Sequence, residues 1–379
     1  MSPALILWMM FLLLGPFYVF GNGLPQPRDG MIIFVVPLAI SEWDGAMERR
    51  QASILRSLFW FTLWIAFVNY GWATILWKWS RLIDFVIHPF FYIFNGLVFF
   101  SALLLARRWK ERFLRLTFDV VLITIVAQVL ASFVYKTTRY RGILFFNQPN
   151  QLGYYALLSA CLFAMMQRPL NISRLKASIG VTCCAYLAVL SASRAALAGI
   201  VVLLAILLFA SPKTIIIGSL AAIGLTSLGG PITHAINAAG HRATHQRDPN
   251  GSFAIERGYD RIWKYPEYLP LGAGEGDYGR FAEIGENPRE IHSSLGTVFF
   301  SYGIVGVFLF LAFLLRVFKG AGLRLSLMLI PPLMFTVAHQ GLRSSMLWVV
   351  LAVFVVLKRA GPANAVQFEP GSLQRPATT

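Results

Sequence analysis

Four apolar blocks, residues 55–77, 85–106, 113–135 and 295–318, each run to about the length of a helix that crosses a bilayer. A hydrocarbon core of about 30 Å requires about 20 helical residues, and four such runs are incompatible with a soluble protein that merely has a large core. Charge is correspondingly scarce. Asp, Glu, Lys and Arg make up 13% of the 379 residues and hydrophobic residues 57%, where soluble domains carry roughly 25% charged residues. Apolar stretches at roughly 3–20, 31–41, 55–77, 85–106, 113–135, 152–167, 177–192, 194–210, 214–229, 295–318, 325–340 and 344–358 predict the spans. The 31–41 stretch is too short to cross upright and several others abut. The expected fold class is therefore all-α integral membrane, a polytopic bundle of about 11–12 transmembrane helices with one large periplasmic loop.

A formal net charge of +16 points at first to a polyanion such as nucleic acid. Its placement argues for topology instead. With the amino terminus in the cytoplasm, 17 Lys and Arg of the short loops fall inside and 8 outside. That is the positive-inside bias, from which long translocated loops are exempt, and no nucleic-acid partner is expected. Cys161, Cys183 and Cys184 lie within apolar spans, where a free cysteine behaves as a small hydrophobe. The amino-terminal block lacks a basic flank and a small-residue cleavage site, so a retained helix is expected rather than a removed signal.

Two segments interrupt the apolar pattern. YKTTRYRGILFFNQPNQ (135–151) is basic, aromatic and turn-rich. Residues 230–293 carry seven Lys or Arg, eight Asp or Glu with Glu290 in addition, and four of the six histidines. Connectors of that length are usually functional or disordered, and the aromatic content here favours an ordered loop. A helix is expected near 257–268, followed by a glycine-rich turn, LGAGEGDYG. The domains expected are a transmembrane domain over 1–360, loop included, and a disordered cytoplasmic tail over 361–379. No internal repeat suggests a transporter of inverted halves.

Ionisable groups at the edges of spans are costly and so are functional candidates. Arg194, in LSASRAALAGIVV, offers a planar fork of donors suited to phosphate; a helix-end arginine reaching for headgroups is the plainer account. Arg257 and Arg261 are spaced i, i+4, which on a helix makes one basic face able to grip a diphosphate; pairing with Glu256 and Asp260 is the alternative. Gly272, Gly274 and Gly276 suit a tight turn near a ligand, but no strand precedes them, which argues against a dinucleotide site. His292, in EIHSSLG, has the chemistry of a general base, or sits at a helix start capped by Ser293 or Ser294. His241 and His245 are also i, i+4, yet no HExxH pattern accompanies them and no metal site is expected. His339 and Arg343 mark a further outer helix end, and His88 reads as structural.

Taken together, four segments resemble the O-antigen ligase / O-antigen polymerase superfamily of bacterial membrane glycosyltransferases. They are FFNQPNQLGYYALL (145–158), LSASRAALAG (190–199), RGYDRIWKYPEYLPLGAGEG (257–276) and EIHSSLGTVFFSYGIVGVFLFL (290–311). The resemblance covers residues 140–320. It implies metal-independent, inverting transfer of glycan from an undecaprenyl diphosphate carrier on the periplasmic face of the inner membrane, with no cofactor. It implies that Arg194 and a loop arginine, Arg257 or Arg261, hold the diphosphate and that His292 acts on the acceptor hydroxyl. Asn147, Gln148, Asn150 and Gln151 are then candidates to hydrogen-bond sugar and Tyr154 to stack on it, with capping of a helix start as their other role. A polymerase joining lipid-linked repeat units into O-antigen or exopolysaccharide, served by a chain-length regulator protein, is the first expectation. A ligase passing finished glycan to a lipid or protein acceptor is the second. A transporter or flippase of lipid-linked glycan is a third, of another class; it would place ionisable groups near mid-membrane.

Overall fold

The computed structural model describes residues 2–21, 24–43, 45, 47–76, 79–135, 141–210, 240, 253–281 and 290–358. The expected span at 214–229, the pair His241/His245, much of the 230–293 loop and the 361–379 tail lie outside the described residues.

The fold is all-helical. Among the described residues the eleven helices are α1 (Pro3–Leu13), α2 (Asp29–Ser41), α3 (Arg49–Leu76), α4 (Trp79–Val134), α5 (Pro149–Gln167), α6 (Arg174–Ser191), α7 (Arg194–Ala210), α8 (Ser294–Phe318), α9 (Leu323–Leu327), α10 (Ile330–Ala338) and α11 (Ser345–Leu357), besides single turns in the loop. Four segments among the described residues are long and apolar enough to cross a membrane: Arg49–Leu76, Ile83–Val134, Arg174–Ser191 and Ser294–Phe318. Starts are chemically marked. Ser2 caps α1 ahead of Pro3, Gln148 and Gln151 form a capping box around Pro149 at the head of α5, and Ser173 caps α6; each satisfies backbone N–H groups that the first turn leaves open.

At 56 residues, α4 would measure about 84 Å if straight, far beyond one bilayer. It breaks at Lys110, where φ is 47° and ψ −126°. The two expected spans, 85–106 and 113–135, are thus the two arms of one interrupted element. Each arm bonds to a different region: Asn95 Nδ2 donates to Leu342 O at 3.2 Å, while the Thr124 and Tyr155 hydroxyls meet at 2.8 Å.

α5 and α11 are the centre. Every residue from Leu152 to Met166 is buried, as is nearly all of α11, because both helices are apolar on all sides and offer no face to a polar solvent. Peripheral helices instead turn large apolar groups outward, such as Phe59, Phe67, Phe308 and Leu315. A surface of that kind is stable against lipid tails and costly in water.

The glycine-rich turn is built into the bundle. α8 breaks at Gly303 (φ 66°), which frees carbonyls one turn earlier. The loop takes them up: Ala273 N donates to Phe300 O at 3.0 Å and Gly274 N to Ser301 O at 2.8 Å, while Ile304 N donates back to Leu269 O at 2.8 Å. Trp64 Nε1 donates to Tyr302 O and Trp72 Nε1 to Gly272 O. Backbone approach is so close that a Cβ on Gly272 would lie 2.4 Å from Ser301 O, and one on Gly276 2.7 Å from Asp84 O. The glycines therefore serve backbone packing. We expect Gly272→Ala, at φ +100°, to cost about 2–4 kcal/mol as a fall in the thermal midpoint in detergent. Gly71→Ala, whose Cβ meets nothing within 4 Å, is the control and should leave the midpoint in place.

Candidate functional site

A pocket of about 440 Å³ opens where the α1–α2 connection, the head of α5, the loop and the α10–α11 connection converge. That volume suits a small organic headgroup. Its wall holds Arg28, Arg257 and Arg343, the acids Asp29 and Glu290, the histidines His292 and His339, and Gln148, Asn150, Gln151 and Gln340.

The loop supplies Arg257 and His292 side by side. His292 N donates to Arg257 O at 3.0 Å, so one backbone bond fixes their spacing. The expected continuous helix over 257–268 does not form. Gly258 takes φ +73°, and only the turn Arg261–Lys264 and a 3-10 turn at Pro266–Tyr268 follow. Arg257 and Arg261 therefore do not share a face. Arg257 Nη1 donates to Ala338 O at 2.7 Å and lies 3.4 Å from His339 Nδ1, in the pocket. Arg261 is buried in the loop's own core, over the rings of Tyr278 (5.8 Å) and Phe281 (5.6 Å). Asp260 pairs with Lys264 at 3.1 Å.

Past His292 the chain enters α8. Ser293, not Ser294, is the cap, its Oγ accepting from Gly296 N at 3.1 Å. Ser294 instead ties in the α10–α11 connection: its Oγ donates to His339 O at 3.3 Å and accepts from Leu342 N at 2.9 Å. Gln340 Nε2 donates to Ile291 O and, at 2.7 Å, to Thr297 Oγ1. The histidine-led helix and the Ala338–Ser344 segment are thereby held as one wall.

The opposite wall is polar for the reasons a helix start is polar. Gln148 N donates to Gln151 Oε1 at 3.2 Å, and Asn150 Oδ1 accepts from Arg141 Nη2 at 2.7 Å. Asn147 lies off the pocket and donates to Phe20 O at 2.7 Å. Tyr154 is among the pocket-lining residues. Its ring stacks on Phe335 at 3.9 Å, its hydroxyl donates to Pro332 O at 3.3 Å, and it is 4% exposed, so its stacking partner is protein. Arg194 is exposed at the first position of α7 and is absent from the pocket wall. It does stand near the same end, since Ser191 and Ser193 pack against Gly153, one turn along α5 from Asn150.

Behind the pocket lies a charge cluster that the sequence did not single out. Glu275 of the glycine-rich turn is fully buried. Its Oε1 accepts from the Tyr92 and Tyr302 hydroxyls, each at 2.7 Å, and its Oε2 from Arg343 Nη2 at 2.6 Å, with His88 Nδ1 at 3.3 Å. The other branch of Arg343 donates from Nη1 to Glu290 Oε2 at 2.9 Å. Burial works to raise the Glu275 carboxyl, but Arg343, His88 and the two phenols outweigh it and hold the acid below its ordinary value. Burial likewise disfavours the Arg343 charge, and the flanking Glu275 and Glu290 more than restore it. Nearby Arg280 lies over the Phe281 ring at 4.5 Å and the Trp72 and Phe85 rings at 5.2 Å, and burial lowers it to about 10. Of this cluster only Arg343, at a span edge, gave any signal; Glu275 is one acid among many in a mixed-charge loop.

No protein-family model matches this chain, and no curated protein matches it. The site's chemistry must speak for itself. Arg257 and His292, joined by one backbone hydrogen bond, share the pocket with side-chain amides and the Glu290 carboxylate.

Proposed function

We propose that the chain is a membrane glycosyltransferase that polymerises undecaprenyl diphosphate-linked oligosaccharide units into O-antigen or exopolysaccharide. The observation that carries this reading is the pocket corner where Arg257 and His292 are pinned together by one backbone hydrogen bond. The resemblance of the four sequence segments supports it, since the first, third and fourth contribute residues to that pocket. In this reading the bundle crosses the bacterial inner membrane about 11–12 times, with its amino terminus in the cytoplasm and the pocket on the periplasmic face, as the basic-residue bias favours.

Arg257 meets the carrier diphosphate, where a fixed cation stabilises the charge that grows on the leaving group. Arg194, exposed near the same end, meets the carrier outside the pocket. His292 accepts the proton of the acceptor hydroxyl as that oxygen bonds to the anomeric carbon. The bond from that carbon to the diphosphate oxygen breaks, and its electron pair leaves with the diphosphate. Attack opposite the leaving group inverts the anomeric centre.

The test is transfer by purified protein in nanodiscs, with short undecaprenyl diphosphate oligosaccharides as donor and EDTA present. A ladder of lengthening lipid-linked products is expected. Product formed only after a separate acceptor is added would replace polymerase with ligase, and none with several donors would remove the enzyme reading. In the same assay Arg257→Ala should lose about 10–100-fold, the worth of one charge-assisted hydrogen bond. Arg194→Ala should lose less, since an exposed cation is screened; a larger loss at Arg194 would move the diphosphate site to the head of α7.

A further inference from the structure

We infer that Glu290 is a substrate-contacting residue that holds the acceptor sugar beside His292, and that Arg343 and the buried Glu275 position it. This rests on reading the pocket as a glycan-transfer site. The segment Glu290–Ile291–His292 precedes α8 without helical turns. Ile291, 3% exposed, enters the loop's core with Ala273, Phe281 and Phe300. Its two neighbours, Glu290 and His292, both line the pocket.

The carboxylate is anchored from behind. Arg343 Nη1 donates to Glu290 Oε2 at 2.9 Å, and the Tyr278 hydroxyl lies 3.5 Å from the same oxygen. Arg343 in turn is fixed through Nη2 to Glu275, which the Tyr92 and Tyr302 hydroxyls hold inside the bundle. A charge-assisted chain thus runs from the protein interior to the pocket wall. Its charge decides what it binds. Arg343 stands between two carboxylates, so this side of the pocket repels a diphosphate and suits a hydroxyl donor. Among the described residues, both bonds to Glu290 fall on Oε2, which leaves Oε1 for a hydroxyl neighbouring the attacking one. The attacking hydroxyl itself gives its proton to His292, as above.

The test compares wild type, Glu290→Gln and Arg257→Ala, each as full chain in nanodiscs. Three quantities are read: retention of bare undecaprenyl diphosphate, kcat/KM for transfer with lipid-linked glycan extracted from the source cells, and the thermal midpoint. Glu290→Gln should retain the bare carrier as well as wild type or up to several-fold better, because a like charge is gone. Its transfer should fall about tenfold or more, as one hydrogen bond to a charged group is weakened. A merely structural residue would lose retention, transfer and thermal midpoint together. That result, or undiminished transfer by Glu290→Gln, overturns the assignment. If wild type fails to retain the carrier, or Arg257→Ala retains it equally, the pocket is no diphosphate site; the proposed function then falls, and the role of Glu290 with it.

Discussion

Glu275→Ala is expected to destabilise the protein by about 3–5 kcal/mol, the cost of breaking a buried ion pair from one side. The carboxylate holds four partners at once: two phenol hydroxyls, one branch of Arg343 and His88. Alanine leaves one branch of the Arg343 guanidinium facing a void, beside two hydroxyls whose acceptor has gone. The turn keeps its backbone grip in this variant, because Asn69 holds residue 275 by both backbone groups, donating to its carbonyl and accepting from its N–H at 3.1 Å each, so the loss is that of the side-chain bonds. Thermal unfolding in detergent, followed by loss of the monodisperse peak, reads the effect. Removing both charges is the informative companion: Glu275→Ala with Arg343→Met should be more stable than Glu275→Ala alone, since the guanidinium beside the void is gone and the Glu290 carboxylate that loses it is 28% exposed and open to water. A single variant within about 1 kcal/mol of wild type would mean that the turn does not insert as described, since a lone ordinary hydrogen bond contributes about that much. The pH dependence follows in sign. A carboxyl held below its ordinary value stabilises the fold at neutral pH and down to the usual carboxylate range. Its full contribution is present above that range, fades as pH falls below the ordinary value, and is gone once pH is below the lowered folded value.

Helices were legible in the sequence wherever apolar content is a local property. The expected blocks at 55–77, 152–167, 177–192, 194–210 and 295–318 correspond to α3, α5, α6, α7 and α8 within a few residues at most ends. The blocks at 3–20 and 325–340 shorten to Pro3–Leu13 and to the pair α9 and α10, where polar turns and the Pro331–Pro332 start interrupt the apolar run. What the sequence concealed is long-range. The i, i+4 spacing of Arg257 and Arg261 implies one basic face if the segment is helical, but Gly258 leaves the helical region and the two arginines meet different surroundings. LGAGEGDYG resembled a ligand turn, yet its glycines accommodate the backbone of α8 and α4. No local pattern distinguishes those uses, because the contacts that decide lie some thirty residues on and nearly two hundred residues back. Arg343 shows the same limit: only the fold brings it between Glu275 and Glu290.

His292→Ala is expected to slow transfer about 10²–10⁴-fold, the usual contribution of a positioned general base, with little change in retention of the bare carrier. The separation follows from geometry. Arg257 faces the pocket with a guanidinium already anchored to Ala338 O, so it meets the diphosphate in the ground state as well as in the transition state. Its loss should therefore weaken both retention and turnover. The imidazole acts only while the acceptor proton is moving, so its loss should appear in kcat. The shared backbone bond between His292 N and Arg257 O survives both substitutions, so neither variant should shift the other residue. If the two groups serve one chemical step, their effects will be less than additive, and the double variant should be only a little slower than His292→Ala alone. Should His292→Ala retain full turnover while Glu290→Gln does not, the carboxylate would be the base, and the corner of Arg257 and His292 would be a binding site for the carrier alone.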